Sequence, residues 1–341
     1  MMRPLQRRLI PRRNLSRLLA AGVVCALVSF VAACGSRRQV RIAFIPQTEG
    51  TLLWEAAHTG AEAGAASTGA SIYWNAPTRE DDVEAQIALV DRVVDANYQG
   101  LVLAPDQALS LITPVRRALA HGIPTVIIGS PLPIPAGRNL SYILNDDAEG
   151  GRLAANRVAE LLNGHGTVAV LGINSDVTGI MIRARGFEQA LAQHYPGIRI
   201  VEKRMGSFNV PHEQQVAEDT LRANPNLDVI VALMSTAIDG SLLALDTAAE
   251  NHLVRVIGFD DGGLPPFDQY KSLDCVIQED TRAMGQQAIE LIHTRMLGQP
   301  APLTVRLQPK IITRQNIKSP EVRLMLAQDW TLGRWRWSPI Q

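Results

Sequence analysis

Cysteine is scarce: Cys25, Cys34 and Cys275 are the only three in 341 residues. That number supports neither a disulfide framework nor a zinc cage. Also missing are a Gly-rich phosphate loop closed by Lys-Ser/Thr, a His-Glu-x-x-His pair and a Gly-x-Ser-x-Gly elbow. The seven histidines are scattered singly, and no two have metal-ligand spacing. No nucleophile can be matched to a base, so the residues nominate no catalytic group, no metal and no cofactor. Gly164-His165-Gly166-Thr167-Val168-Ala169 fits the pattern G-x-G-x-x-A, but it follows a helical stretch and opens a strand. A dinucleotide fingerprint runs the other way, so this one reads as a helix C-cap and turn.

Net charge is absent too, with 33 basic and 33 acidic side chains. The balance is uneven along the chain. Residues 1–33 hold Arg3, Arg7, Arg8, Arg12, Arg13 and Arg17 and no acid, which leaves 27 basic against 33 acidic beyond them. A body of that sign is a poor phosphate-backbone binder, so no nucleic-acid partner is expected. What is plentiful is apolar residue, 46% of the chain against 19% charged, as in a globular protein.

The first 34 residues read as an address. Six arginines precede an apolar run over 18–33, shorter than the ~20 residues a spanning helix needs. The run ends in Val31-Ala32-Ala33-Cys34, then Gly35-Ser36. Small residues before a cysteine resemble the lipobox of bacterial lipoproteins, in which the thiol receives a diacylglyceryl group before cleavage. Arg12-Arg13 weakly resembles a twin-arginine signal. The expected product is an exported protein held to a membrane by lipidated Cys34 and facing the periplasm or cell exterior. Cys275 is then the only thiol of the folded body, expected as a buried small hydrophobe.

From residue 40 the pattern alternates strand and helix. Strands are expected over 40–45, 71–74, 100–103, 124–128, 167–171, 198–202, 229–233, 254–258 and 274–277. Helices are expected over 53–67, 82–96, 109–120, 148–162, 179–193, 213–222, 239–249 and 281–297. Strands separated by helices of this length imply βαβ units, and continuous apolar strands imply sheets covered on both faces. So many units exceed one comfortable sheet, so the expected fold class is α/β with two doubly wound parallel-sheet lobes. The Pro-rich stretch 129–140 looks like the passage between them. In parallel α/β sheets ligands bind at the carboxyl ends of strands. That rule nominates Gln47 to Trp54, Asp106, Gly129-Ser130, Asn145-Asp146-Asp147, Asn174 to Asp176, Phe208, Ser235-Thr236, Asp260-Asp261 and Gln278-Glu279.

Seven motifs in order carry a resemblance. They are Thr51-Leu52-Leu53-Trp54-Glu55 with Gly60-Ala61, the Gly122-Ile123-Pro124-Thr125-Val126 edge, Asn145-Asp146-Asp147 with Gly150-Gly151, and Arg183-Ala184-Arg185-Gly186-Phe187. Further on come Val256-Ile257-Gly258-Phe259-Asp260-Asp261, Val276-Ile277-Gln278 before Met284-Gly285, and Ile312-Thr313-Arg314-Gln315-Asn316-Ile317. From about residue 40 to 317 the chain resembles the type I periplasmic binding proteins of the ribose-binding, sugar-transport kind.

The resemblance implies two lobes joined by three crossovers and closing on a small solute. The Arg-rich start and lipobox set a signal peptide at 1–33, followed by a linker at 34–39. The N-terminal lobe takes 40–143 with 279–308, the C-terminal lobe 144–278 with 309–317, and 318–341 forms a Trp-rich extension. The resemblance also implies site residues. Trp54 stacks on a sugar ring and Phe208 opposes it from the other lobe. Asp260 accepts bonds from hydroxyls, and Gln278 supplies an amide, with Glu279 an alternative one residue on. Gln47 and Ser235 add polar contacts, and Arg183 either meets the solute or pairs with an acid of the scaffold. Trp54 has the alternative of plain packing between helix and sheet, and Asp260 that of a turn residue.

Two departures stand out. Gly129-Ser130 replaces Asp-Arg, with Ser130 left as the contact, and Met181 replaces an arginine; ribose itself is therefore not expected. The implied function is that of a substrate-binding lipoprotein of an ABC-type importer. It would do no chemistry, and its partners would be a sugar-like small molecule, permease subunits and a membrane. The alternative is a sensing module for a chemoreceptor or sensor kinase. A transcription regulator of the LacI kind would need a helix-turn-helix where the export signal lies. A hydrolase on this scaffold would need the nucleophile or metal constellation that is missing.

Overall fold

The computed structural model describes residues 39–79, 81–247, 254–259, 263 and 265–328. The signal segment and Cys34 lie outside these residues, as do Asp260, Asp261 and everything from residue 329 on. Among the described residues no helix is long and apolar enough to cross a membrane.

Two six-stranded sheets organise residues 41–328. The first has the order β11-β5-β4-β3-β1-β2. Its strands are β1 (Arg41–Ile45), β2 (Ser71–Trp74), β3 (Gly100–Leu103), β4 (Thr125–Gly129), β5 (Leu140–Asn145) and β11 (Thr304–Leu307). The second has the order β12-β10-β9-β8-β6-β7. It is built from β6 (Gly166–Ile173), β7 (Ile198–Met205), β8 (Val229–Ala232), β9 (Arg255–Phe259), β10 (Leu273–Gln278) and β12 (Lys310–Thr313). Every named pair is parallel except β10 with β12. The central strands are buried on both faces, which is why Leu101-Val102-Leu103 and Val229-Ile230-Val231 read as unbroken apolar runs.

The chain passes between the sheets in three places. β5 leads into helix Asp147–Leu162, β10 leads into helix Thr281–Met296, and residues 308–309 join β11 to β12. The Pro-rich stretch 129–140 is not one of them. It links β4 to β5, which pair directly in the same sheet, and Tyr142 fastens it by donating to the Leu132 carbonyl at 3.3 Å. The turn at 164–166 is a C-cap as expected: Asn163 and Gly164 take positive φ and β6 follows.

Helices Leu52–Thr68 and Thr281–Met296 pack against each other through glycine. A methyl group at Gly60 would lie 1.9 Å from the Arg282 carbonyl oxygen, and one at Gly285 would lie 2.1 Å from that of Ala57. No side chain fits, so the backbones touch directly, and Thr281 Oγ1 adds a bond to the Leu53 carbonyl at 3.0 Å. The first helix is thereby held to a segment that has just left the second sheet.

The start of the expected C-terminal extension is structured. Helix Pro320–Met325, capped by Ser319, puts Val322 and Met325, with Leu326 after it, into the core of the second lobe. Gln328 Nε2 then donates to the Leu52 carbonyl at 3.1 Å, at the start of the helix that carries Trp54. Cys275 is wholly buried in β10, and burial pushes its thiol up, which makes it an inert core residue.

Candidate functional site

Several of the nominated residues follow the carboxyl ends of the strands. In the first lobe Gln47 follows β1 and donates to the Pro105 carbonyl at 2.9 Å, next to Asp106. Gln86 ties the same ends together. Its amide donates to the carbonyls of Pro46 (3.1 Å) and Ala104 (2.8 Å) and accepts from Asp106 N at 3.0 Å. Its place inside an amphipathic helix gave no sign of this. Thr51 caps helix Leu52–Thr68 by accepting from Trp54 N at 3.4 Å, which sets Trp54 in the first turn. Trp54 is 4% exposed, and its indole N–H is buried without a hydrogen-bond partner.

Ser130 connects the lobes. Gly129 ends β4 at φ +74, a left-handed turn that aims the next residue away from the sheet. Ser130 Oγ accepts from Gly179 N at 3.3 Å, in the first turn of helix Thr178–His194. A methyl group on Gly179 would sit 2.9 Å from Asp147 Oδ2 and 3.0 Å from Ser130 Oγ. These two oxygens, one from each lobe, therefore flank the same Cα.

Arg183, from the same helix, is the electrostatic centre. Its guanidinium is 6% exposed. Nε and Nη2 donate to Asp147 Oδ1 (3.2 and 2.9 Å), Nη2 to Glu279 Oε1 (2.6 Å) and Nη1 to the Leu233 carbonyl (3.0 Å). The group also lies 4.9 Å above the Phe259 ring. Of the two roles open to Arg183 in the sequence, pairing with acids of the scaffold is thus occupied. Gln278 ends β10, 1% exposed, and donates to the carbonyl of Glu279 at 3.2 Å. Asp147 and Glu279 were in the nominated segments, yet nothing in the sequence said that one arginine would hold both.

In the second lobe Phe208 is partly buried against the core. Glu213 Oε1 accepts from Ser207 N at 2.5 Å, and Thr236 Oγ1 donates to the Ser207 carbonyl at 3.0 Å, so the segment before Phe208 is fastened twice. Ser235 opens helix Ser235–Thr247 and is half-buried. Trp54 and Phe208 make no ring contact with each other among the described residues. An open cleft of about 500 Å³ lies at the mouth between the lobes, where residues 107–109 and 131–133 face Ser175, Asp176 and Thr178. None of the expected contact residues lines it.

Asp106 is 5% exposed, and its Oδ2 has no partner. Burial pushes its carboxyl up to about 6; the charges of Asp81 and Asp82 add to this, and a bond from the Asp81 backbone opposes it. The folded-state value lies above the unfolded one, so ionisation costs the folded protein stability, and the loss sets in between about pH 4 and 6. Asp106→Asn is therefore expected to raise the thermal midpoint at pH 7.5 and to lose that advantage at pH 4. Equal gains at both values would contradict the assignment.

A model of the periplasmic binding protein domain matches residues 42–300. The chain belongs to that family. Its relatives are distant. A D-apiose import binding protein of Paraburkholderia graminis is 25% identical over 221 residues, which cover 64% of this chain and 67% of that protein. A D-ribose/D-allose-binding protein of Pseudomonas aeruginosa is 26% identical over 186 residues, 53% of this chain and 58% of the relative. Among solved structures, an ABC transporter solute-binding protein from Agrobacterium vitis with bound α-D-tagatopyranose superposes with a TM-score of 0.78 at 24% identity. That match covers 85% of this chain and all of the other. The likeness establishes the expected fold: two parallel-sheet α/β lobes of the type I periplasmic binding proteins.

Proposed function

We propose that the protein is the substrate-binding component of an ABC-type importer and captures a small sugar or sugar-like solute between its lobes. The observation that carries this reading is the convergence of buried polar groups from both lobes at the carboxyl ends of the strands. Ser130 meets Gly179 across the gap, Asp147 and Glu279 share Arg183, and the Trp54 N–H is left unpaired. Buried polar groups without partners are rare in folded proteins, and a hydroxyl-bearing solute supplies partners of that kind. The names of the relatives agree, since they are import or sugar-binding proteins. In this reading Gln47, Ser130, Phe208, Ser235 and Gln278 contact the solute with Trp54. Asp260, which directly follows Phe259 in the sequence, accepts from its hydroxyls, and Arg183 orients the acids around it.

A thermal-shift screen of sugars, polyols and nucleosides tests the proposal. A solute at 100 times its Kd stabilises the native state by about 2.7 kcal/mol. If no member of the panel shifts the midpoint at millimolar concentration, the reading fails.

Anchoring is the second part. The Arg-rich start and Val31-Ala32-Ala33-Cys34 support a mature protein that begins at a lipidated Cys34 and docks on permease subunits from the membrane surface. Cys34→Ser is expected to leave the protein soluble or unprocessed on membrane fractionation. An intact mass with an unmodified Cys34 in the processed wild-type chain would end this part.

A further inference from the structure

We propose that the cleft at the mouth of the lobes is a second subsite for an apolar aryl or alkyl substituent carried by the solute, so that the preferred ligand is a glycoside with an apolar aglycone; this rests on the solute-binding reading above. The cleft has a volume of about 500 Å³. It is lined by residues 107–109 and 131–133 of the first lobe and by Ser175, Asp176 and Thr178 of the second. Ligand pockets span ~300–1,000 Å³, so this one has room for a substituent of several carbons. None of the residues assigned to the sugar lines it, yet its walls begin where they end. Gln107 follows the buried Asp106, and Pro131 follows Ser130. Thr178 precedes Gly179, whose N–H bonds Ser130 Oγ across the lobes at 3.3 Å. A group projecting outward from a solute held at Ser130 enters this cleft.

The two walls differ in chemistry. On the first lobe, Ala108, Leu109, Pro131, Leu132 and Pro133 present only carbon side chains, and Gln107 accepts from the Ser110 hydroxyl. Leu109 is 74% exposed. A lone exposed leucine is ordinary, but this one stands with two prolines on the wall of a cavity. That wall is also held in place. The prolines restrict its backbone, Leu132 is buried, and the Tyr142 hydroxyl reaches the carbonyls of both Leu132 and Ile134. A surface ordered in advance loses little entropy when a ligand covers it, and each apolar carbon it removes from water adds to binding. The second-lobe wall carries two hydroxyls and an acid side chain, which suit a polar edge on the same substituent. A second sugar ring fits less well, because its hydroxyls would be turned against carbon on the first-lobe side.

The test compares ligands that share a sugar and differ in what it carries. D-glucose, D-galactose and D-xylose are each offered free, as methyl and phenyl glycosides in both anomers, and as a disaccharide. Thermal shift and calorimetry on the full chain at pH 7.5 read the affinities. A phenyl glycoside is expected to bind at least tenfold more tightly than the methyl glycoside of the same sugar and anomer, about 1.4 kcal/mol. Leu109→Ser, at an exposed position outside the sugar contacts, is expected to remove most of that gain and to leave the affinity for the methyl glycoside unchanged. Phenyl glycosides no tighter than methyl ones, for every sugar that binds, overturn the inference and leave the solute-binding reading standing. A disaccharide that gains as much as the phenyl glycoside overturns the apolar assignment in the same way. So does a gain that survives intact in both Leu109→Ser and Pro133→Ser, since the ring then lies elsewhere. If no member of the panel binds at millimolar concentration, the solute-binding reading falls and this inference falls with it.

Discussion

Arg183→Met is expected to destabilise the protein by about 3–5 kcal/mol, the usual cost of removing one partner from a buried ion pair. The cost arises from what stays behind. Asp147 stays buried and Glu279 largely so, and between them they lose three charge-assisted hydrogen bonds. The Leu233 carbonyl at the end of the second sheet loses a donor as well. Arg183→Lys is expected to fall between the two, because an ammonium cannot serve the carboxylates and the carbonyl from one planar fork. Urea denaturation measures both variants. A loss below about 1 kcal/mol in Arg183→Met would mean that the acids are solvated or neutral in the native state.

Trp54→Ala is expected to lower stability by about 3–5 kcal/mol, the range for emptying a buried aromatic site, and to abolish solute binding with it. That variant cannot separate packing from recognition, but Trp54→Phe can. Phenylalanine keeps most of the packing and removes an indole N–H that makes no bond in the protein. Stability is expected to change by less than about 1.5 kcal/mol, since nothing paired is lost. Affinity for the solute found in the screen is expected to drop by about 1 kcal/mol. Unchanged affinity in Trp54→Phe would make the indole a packing group with no role in recognition.

The body of the fold was legible because parallel strands buried on two faces leave a plain signal. β1, β3, β4, β8 and β9 are short apolar runs between amphipathic helices, and all were expected within a few residues. The strands that escaped notice lie at or beside the sheet edges. β11 and β12 have four residues each, and β11 alternates exposed and half-buried positions, so neither looks like a covered strand. β5 hid behind a run of prolines that suggested a longer irregular passage. The site was legible as a set of places, because ligands collect at strand ends whatever their chemistry. Its wiring was not. That Gln86 bridges two strand ends, that Ser130 reaches Gly179, and that Arg183 holds acids from residues 36 and 96 positions away depend on how the lobes are stacked, which no local pattern encodes.

The two edge strands bear on how this protein is made. β11 completes the first sheet and β12 the second, so both sheets stay unfinished until residues 304–313 exist. A nascent chain that stops at residue 300 presents β5 and β10 as open edges, each able to pair with a stranger. It also lacks Val322, Met325 and Leu326, the last side chains of the second core among the described residues. Final closure of both lobes therefore waits for residues 304–326, and a chaperone that shields strand edges has its natural client in a chain that has not yet reached them.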